Sequence, residues 1–491
     1  MKNLRNNRKT KIIATIGPAT RSSKLVEELL LAGVNVVRLN FSHGTYEEHG
    51  EFIATVRAVA HRLNLPVAIL LDLQGPRIRV GVLRGGAVEL KNGGRIAIAA
   101  EDDGGPGMVT TTYKDLYKDV KPGDRVLMDD GLIEVRVLSV SGERVECEVV
   151  YGGVLKEHKG MNLPGVDISA ACLTGKDIED MNFGIVNNVD FIALSFVRRA
   201  ADIMELKSRL KGKNSEIQVI AKIEKAEAID DLDAIIEEAD GVMIARGDLG
   251  VELSAEEIPV LQKKIIIMAN EAGKIVITAT QMLESMINSP RPTRAEASDV
   301  ANAVFDGTDA LMLSGETAIG SYPVKAVEMM SKIAREAEDA ALAHKHMLRR
   351  KKLETRSFAH AVAFAANAAS NEVNASAIVV FTHSGETARL LSKLRPSTPI
   401  VAFTHGERAW RRMSLMWGIE PFMIGFGEHT DEMICMGEAA LLDNGLAEAG
   451  DTVVVVSGTK VGMRGATNMM KIDWIGSTEC KIYLKERVSV P

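Results

Sequence analysis

The segment from Val219 to Ile229, VIAKIEKAEAI, sets Lys222 and Glu224 two residues apart in a run that otherwise reads as a buried strand. Strand side chains alternate, so the two point the same way. Burying an ammonium or a carboxylate without partners costs several kcal/mol, comparable with the net stability of a domain. A strand-end lysine and glutamate facing one cavity therefore point to a site that handles an anion and a cation together. Phosphoryl transfer and enolate stabilisation are reactions that need such a pair.

Positioning this pair requires a scaffold, and the chain up to about residue 340 supplies a repeating one. Eight short apolar runs alternate with helical patterns: KIIATIGP (11–18), VNVVRLNFS (34–42), VAILLDL (67–73), VDFIALSF (189–196), QVIAKIE (218–224), GVMIARGD (241–248), KIVITATQM (274–282) and DALMLSGET (309–317). Near-continuous β-branched runs are the mark of strands buried on both faces, and strand-helix alternation predicts a parallel sheet. Eight such units predict a closed (β/α)8 barrel. Polar residues gather at the C-terminal ends of the runs: Arg38, Asn40 and Ser42, Asp72, Lys222 and Glu224, Asp248, Thr280, and Ser314 with Glu316. In a barrel those ends share one rim, where active sites are built. The amphipathic stretch SSKLVEELLLAG reads as a helix packing on the barrel and nothing more.

Between the third and fourth runs the chain becomes Gly-rich with short alternating stretches, RIAIAA, DRVLMDDGLIEVRVLSV and RVECEVVYGG. This predicts an inserted small β-barrel able to act as a lid. From about residue 355 a second α/β pattern begins, with strands ASAIVVFT, TPIVAFT and DTVVVVSG and helices SFAHAVAFAANAASNE and ERAWRRMSLMWG, and reads as a doubly wound domain. The expected divisions are barrel 1–74 and 172–345, lid 75–171 and C-terminal domain 346–491. The charged stretch HKHMLRRKKLETR (344–356) reads as a helix end and linker.

A chain of 491 residues is too long for one core. Its formal net charge of −7 gives no global reason to bind nucleic acid or an anionic membrane, so any phosphate affinity must be local. The four cysteines, Cys147, Cys172, Cys435 and Cys480, lie far apart without CxxC spacing, which argues against a zinc site and against a disulfide framework and favours a reducing, cytoplasmic setting. The N-terminal stretch is basic and lacks the apolar core of a signal peptide, and no segment reaches the ~20 apolar residues of a membrane span.

With these residues in place the chain resembles the pyruvate kinase family. The ordered motifs are VRLNFSHG, DLQGPRIR, VIAKIEKAEAI, ARGDLGVE, TATQMLESM and DGTDALMLSGETA, and the likeness runs from TKIIATIGPAT to GATNMMKI. The resemblance implies transfer of the phosphoryl group of phosphoenolpyruvate to ADP, giving pyruvate and ATP as the last step of glycolysis, Mg2+ or Mn2+ as cofactor, and a homotetramer. It implies that Lys222 neutralises the transferring phosphoryl group and the enolate, that Glu224 and Asp248 bind the divalent metal, and that Arg38 bridges substrate phosphate and nucleotide. It implies a substrate carboxylate at the backbone of Ala245, Arg246 and Gly247, just before a helix expected to begin near Asp248. Thr280 then stands beside the substrate methylene, on the proton path to the enolate carbon with either Thr280 or a bound water as the donor, and Ser314 and Glu316 support it; a helix N-cap is the alternative for Ser314. Arg79, Lys159 and Asp129 match nucleotide contacts from the lid, while Asn40, His43 and Pro18 match positions near the nucleotide.

The potassium-binding positions of the family match Asn40, Ser42, Asp72 and Leu73. Here Leu73 removes a side-chain oxygen and Arg77 brings a fixed cation, so activity without potassium is expected. In the C-terminal domain THSGETARL resembles the family's effector-phosphate loop, with Thr382, Ser384, Gly385, Thr387 and Arg464 as candidates for a sugar-phosphate or nucleotide effector; a plain helix cap by Ser384 is the alternative, and Glu386 disfavours an anion. Two rival readings remain open at the level of sequence: a metal-dependent aldolase-like enolate enzyme on the same barrel, and a non-catalytic metabolite-binding relative. The second is disfavoured by the presence of all five of Arg38, Lys222, Glu224, Asp248 and Thr280.

Overall fold

The eight apolar runs form strands β1 (Lys11–Thr15), β2 (Val36–Asn40), β3 (Ala68–Asp72), β4 (Phe191–Leu194), β5 (Gln218–Ile223), β6 (Gly241–Ala245), β7 (Ile275–Ala279) and β8 (Ala310–Leu313) in the computed structural model of the chain. The residues described are 8–101, 107–343, 357–425, 427, 429–458, 467–476 and 480. Strand order is β1-β8-β7-β6-β5-β4-β3-β2 and the sheet closes into a barrel. Nearly every strand residue is buried, as two-sided coverage of a parallel sheet requires. The strands stop short of the apolar runs that predict them, so Ser195, Glu224, Asp248, Thr280 and Ser314 stand just past strand ends, while Arg38 and Asp72 lie in the last turns of pleat. The helix expected from SSKLVEELLLAG spans Ser23–Ala32, capped by Ser22 Oγ accepting from Leu25 N and ended by left-handed Gly33.

The chain divides into two compact units, Met1–Leu71 with Asn187–Phe191 and Ile266–Pro491, and Asp72–Val186 with Ile192–Ile265. The second unit contains the inserted β structure. Six strands pair in the order Met161–Asn162, Arg125–Met128, Ile133–Ser141, Arg144–Tyr151, Arg95–Ala99 and Met108–Thr110, and a two-stranded sheet joins Gly153–Lys156 to Ala87–Leu90. The entering segment bridges both edges of the six-stranded sheet: Arg79 pairs with Gly160 and Val80 with Thr111. The expected small barrel is thus seen as a six-stranded sheet with the entering segment bridged next to its two edge strands, around a core that includes Val80, Ile98, Val109, Val126, Val135 and Val149.

The first unit carries the C-terminal sheet, with β9 (Ala377–Phe381), β10 (Ile400–Thr404), β11 (Ile419–Met423), β12 (Thr452–Gly458) and β13 (Thr467–Trp474) in the order β11-β10-β9-β12-β13. All neighbours are parallel except β13, which runs antiparallel to β12. This domain docks on the starts of barrel strands through charge. Asp190, just before β4, accepts from Arg57 (2.8 Å) and Arg411 (2.9 Å). Asp309, just before β8, accepts from Lys393 and from Arg395 (2.6 Å). Of these six side chains all but Arg57 have little exposure or none. Against the expectation of unpaired thiols, Cys435 and Cys480 are joined in a disulfide with Cα atoms 4.9 Å apart. Their 45-residue separation hides the proximity, because pairing depends on folded geometry and not on spacing. Cys147 and Cys172 are free and buried, and burial pushes the Cys147 thiol up to about 12. Among the described residues no helix is long and apolar enough to cross a membrane. The stretch 344–356 and Arg464 lie outside the described residues.

Candidate active site

In the second unit three successive strand ends build a cage around Lys222. Its Nζ lies 2.7 Å from Ser195 Oγ past β4, 3.2 Å from Asp72 Oδ1 on β3 and 2.7 Å from Glu224 Oε1 past β5. Ser195 gives its own proton to the Leu73 carbonyl (2.7 Å), which turns an oxygen lone pair toward the ammonium. One cation among two buried carboxylates, with Asp248 as a third nearby charge, leaves the group net negative. Burial therefore pushes the Glu224 carboxyl above its ordinary value; Lys222 pulls it back, and Asp248 raises it again. Among the described residues Glu224 Oε1 meets no donor besides the Lys222 ammonium.

That buried oxygen, bound by a single ammonium and under the charge of Asp248, fits a divalent cation. Among the described residues no three His, Cys, Asp or Glu side chains converge as a closed metal cage. Two carboxylates with the remaining positions left to water or substrate oxygens is the arrangement that suits Mg2+.

Phe196, which the sequence reading missed, aims Glu224. Its φ of 56° is left-handed, a conformation that costs a bulky residue about 1–3 kcal/mol. It points the Phe196 N–H at Glu224 Oε2, 2.9 Å away. Gly75, at φ 68°, leaves room for the ring, since a Cβ there would stand 2.7 Å from Phe196 Cδ2. Ser195 was missed for a related reason: one serine at a strand end has no distinguishing pattern, and its partners come from other strands.

The helix after β6 spans Arg246–Glu252 with Ala245 as its first flanking residue, starting two residues before the expected Asp248. Arg246 and Gly247 therefore belong to its first turn, and the Arg246 guanidinium donates to Gln262 Oε1 (3.3 Å). A cleft lies between the lid and these strand ends, lined by Arg77, Asp130, Asn162, Phe196, Lys225 and Asp248 among others. Arg77 is exposed at its edge. Leu73 is buried and its carbonyl is taken by Ser195. Of the lid candidates, Lys159 Nζ pairs with Asp129 Oδ1 at 2.7 Å. Arg79 is half-buried, and burial followed by the charge of Arg77 lowers its pKa.

In the first unit Arg38 is buried, and its NH1 donates to Thr15 Oγ1 at 3.0 Å. Thr15, also missed from sequence, donates in turn to Leu313 O (2.8 Å) and so fixes the guanidinium to the neighbouring strand. Thr280 holds φ 66° past β7, an outlier for a β-branched residue. Its hydroxyl bonds the Ala279 carbonyl at 2.6 Å. Glu316 accepts from Leu283 N (3.0 Å) and Ser314 N (2.7 Å), tying the loop after Thr280 to the end of β8. Ser314 occupies the N-cap position of the helix Gly315–Ala318, but its side chain makes no cap bond. Asn40 Oδ1 accepts from Ser42 N (3.1 Å). His43 and Pro18 are exposed, and the His43 carbonyl is bound by His49 Nε2 (2.9 Å).

In the C-terminal domain the helix Glu386–Lys393 starts from left-handed Gly385, whose N–H donates to Thr382 Oγ1 (3.0 Å). The alternative of a cap by Ser384 is not realised, since Gly385 holds the N-cap position, no side chain caps the helix and Ser384 is exposed. Thr387 is buried, bonded to Thr467 Oγ1 at 2.6 Å, and Glu386 pairs with Arg389.

A closed (β/α)8 barrel with an inserted β lid and a buried lysine among carboxylates at its strand ends defines an enzyme of phosphoryl and enolate chemistry. Residues 7–327 match the family model of the pyruvate kinase barrel domain and residues 360–473 that of the pyruvate kinase alpha/beta domain. Pyruvate kinases of Staphylococcus aureus strains MRSA252 and USA300 are each 46% identical over 472 residues, covering 96% of this chain and 81% of theirs. The crystal structure of a pyruvate kinase from Cryptosporidium parvum superposes with a TM-score of 0.90 at 38% identity, covering 97% of this chain and 98% of that one. The chain belongs to the pyruvate kinase family and is a phosphotransferase.

Proposed function

We propose that the chain transfers the phosphoryl group of phosphoenolpyruvate to ADP, giving pyruvate and ATP. The observation that carries this reading is the buried Lys222 ammonium held between Ser195, Asp72 and Glu224. Phosphoryl transfer asks for positioning and charge neutralisation rather than covalent catalysis. Lys222 offsets the charge that develops on the transferring group and on the enolate oxygen. Glu224 and Asp248 would hold Mg2+ or Mn2+, which supplies further neutralisation to the phosphoryl oxygens. Arg38 grips phosphate from its Thr15 anchor. The first-turn backbone of Arg246–Glu252 receives the substrate carboxylate, and Thr280, set by strained backbone, takes part in protonating the enolate carbon. Arg79 and the Asp129–Lys159 pair address the nucleotide from the lid, with Asn40, His43 and Pro18 on the barrel side.

Arg77 makes potassium unnecessary in this reading, because it brings a fixed cation to the edge of the lid cleft where the family carries an acidic residue. Domain limits at 74, 171 and 345, a homotetramer, a cytoplasmic setting and an effector at Thr382, Ser384, Gly385 and Thr387 complete the proposal. The test is pyruvate formation from phosphoenolpyruvate, ADP and Mg2+ in sodium buffer, then with potassium. Full turnover in sodium supports both the reaction and the role of Arg77. Turnover that appears only with potassium keeps the reaction and removes that role, and none under either condition in folded protein removes both.

A further inference from the structure

A buried ion pair beside the site has no part in the roles above. Lys225 follows Glu224 directly and is 4% exposed. Its ammonium lies 2.5 Å from Glu252 Oε1 and 5.7 Å from the centre of the Phe196 ring. Each contact leads to a carboxylate assigned to the divalent cation. The Phe196 N–H is the donor to Glu224 Oε2. Glu252 is the last residue of the helix whose first turn carries Asp248. The same Glu252 oxygen accepts from Asn162 Nδ2 of the lid at 3.2 Å, and its other oxygen is buried without a donor. One ammonium therefore joins the supports of both carboxylates and a lid strand.

Buried ion pairs contribute little net stability once desolvation is counted. Their geometric effect is larger, since breaking one moves whatever its members hold. We propose that Lys225, clamped by Glu252, is a positioning residue for the divalent cation: it fixes Phe196 and the helix Arg246–Glu252 so that Glu224 and Asp248 keep their separation. The inference rests on the assignment of those two carboxylates as cation ligands.

The sign of the effect separates positioning from plain electrostatics. Removing a positive charge near a cation site strengthens divalent binding in Coulomb terms, whereas loss of positioning weakens it. Partners that orient metal ligands commonly govern 10–100-fold in affinity.

The experiment titrates the full-length protein with Mn2+ alone, following free Mn2+ by electron paramagnetic resonance. Glu224→Gln tests the ligand assignment and is expected to lose binding. Lys225→Met is expected to raise the Mn2+ dissociation constant about 10–100-fold, and its kcat is expected to recover at saturating Mg2+ to within about fivefold, a split that general damage does not give. Unchanged or tighter Mn2+ binding by Lys225→Met, with binding lost in Glu224→Gln, overturns the positioning role alone. Wild-type binding by Glu224→Gln overturns the ligand assignment and the inference with it. If Lys225→Met does not fold, Lys225→Met/Glu252→Met leaves no buried charge and carries the same expectation and the same refuting result.

Discussion

Removing the Ser195 hydroxyl tests the cage directly, because that oxygen has two separable duties. As acceptor it holds the Lys222 ammonium at 2.7 Å, and as donor it satisfies the Leu73 carbonyl at 2.7 Å. In Ser195→Ala the ammonium loses this neutral partner and is drawn toward Asp72 and Glu224, away from the phosphoryl group that the proposed reaction gives it. A hydrogen bond to a charged group is worth about 1.5–3 kcal/mol, which at 1.36 kcal/mol per decade gives about a 10- to 100-fold loss in kcat. KM for phosphoenolpyruvate changes less, since the lysine acts on charge that develops in the transition state. Separately, the buried Leu73 carbonyl is left without a donor, at about 1–3 kcal/mol of stability. The assay is steady-state pyruvate formation at saturating Mg2+, with the thermal midpoint measured on the same preparations. A lowered midpoint with kcat within twofold of wild type would refute the reasoning: the carboxylates alone would then place Lys222, and the hydroxyl would serve only Leu73.

Thr280→Val is expected to slow pyruvate formation about 100-fold or more, the usual scale of a lost proton-transfer group, and to slow exchange of pyruvate methyl protons into deuterated water, followed by NMR; normal exchange would assign the proton to another donor. Arg77→Glu is expected to lose activity in sodium and regain it with potassium, read by the same pyruvate assay, whereas activity independent of potassium in the variant would remove the charge-replacement argument. Burial holds Glu224 above its ordinary carboxyl value, so the cation-free fold binds that proton more tightly than the unfolded chain does. Stability then rises as pH falls through the raised value toward 4.5 and declines on the way up, the reverse of a salt-bridged acid. Thermal midpoints over that window should show this trend in wild type, lose it in Glu224→Gln and flatten with Mg2+; an identical trend in Glu224→Gln would assign it to another group.

The barrel was legible because its strands are uninterrupted apolar runs ending in polar residues, and that pattern needs no partner to be read. Lys222, Glu224, Asp248, Arg38 and Thr280 all came from it. Ser195, Thr15 and Phe196 did not, because each acquires its role from a contact made by another strand: Ser195 through Lys222, Thr15 through Arg38, and Phe196 through a backbone angle that its side chain disfavours. In the C-terminal sheet β11 and β13 escaped notice for a different reason. The first contains Pro421, and the second alternates half-buried positions with exposed ones at Met470, Ile472 and Trp474, so neither shows the continuous run that marks its neighbours. The Cys435–Cys480 link is likewise a property of packing that spacing cannot disclose.

The pairing of the lid's first and last segments has a consequence for how the chain assembles. Val80 N binds Lys159 O (2.8 Å), His158 N binds Val80 O (3.0 Å) and Met161 N binds Ile78 O (3.0 Å). Closing a flexible loop on the order of 80 residues costs about 4 kcal/mol in its length-dependent part. Here the hydrogen bonds that gather the two ends belong to the insertion itself. The cost of looping out falls on the lid's own folding, and β3 and β4 can meet as if joined by a short connection. Separating those two accounts lets a lid change in sequence and length while the barrel beneath it keeps its register.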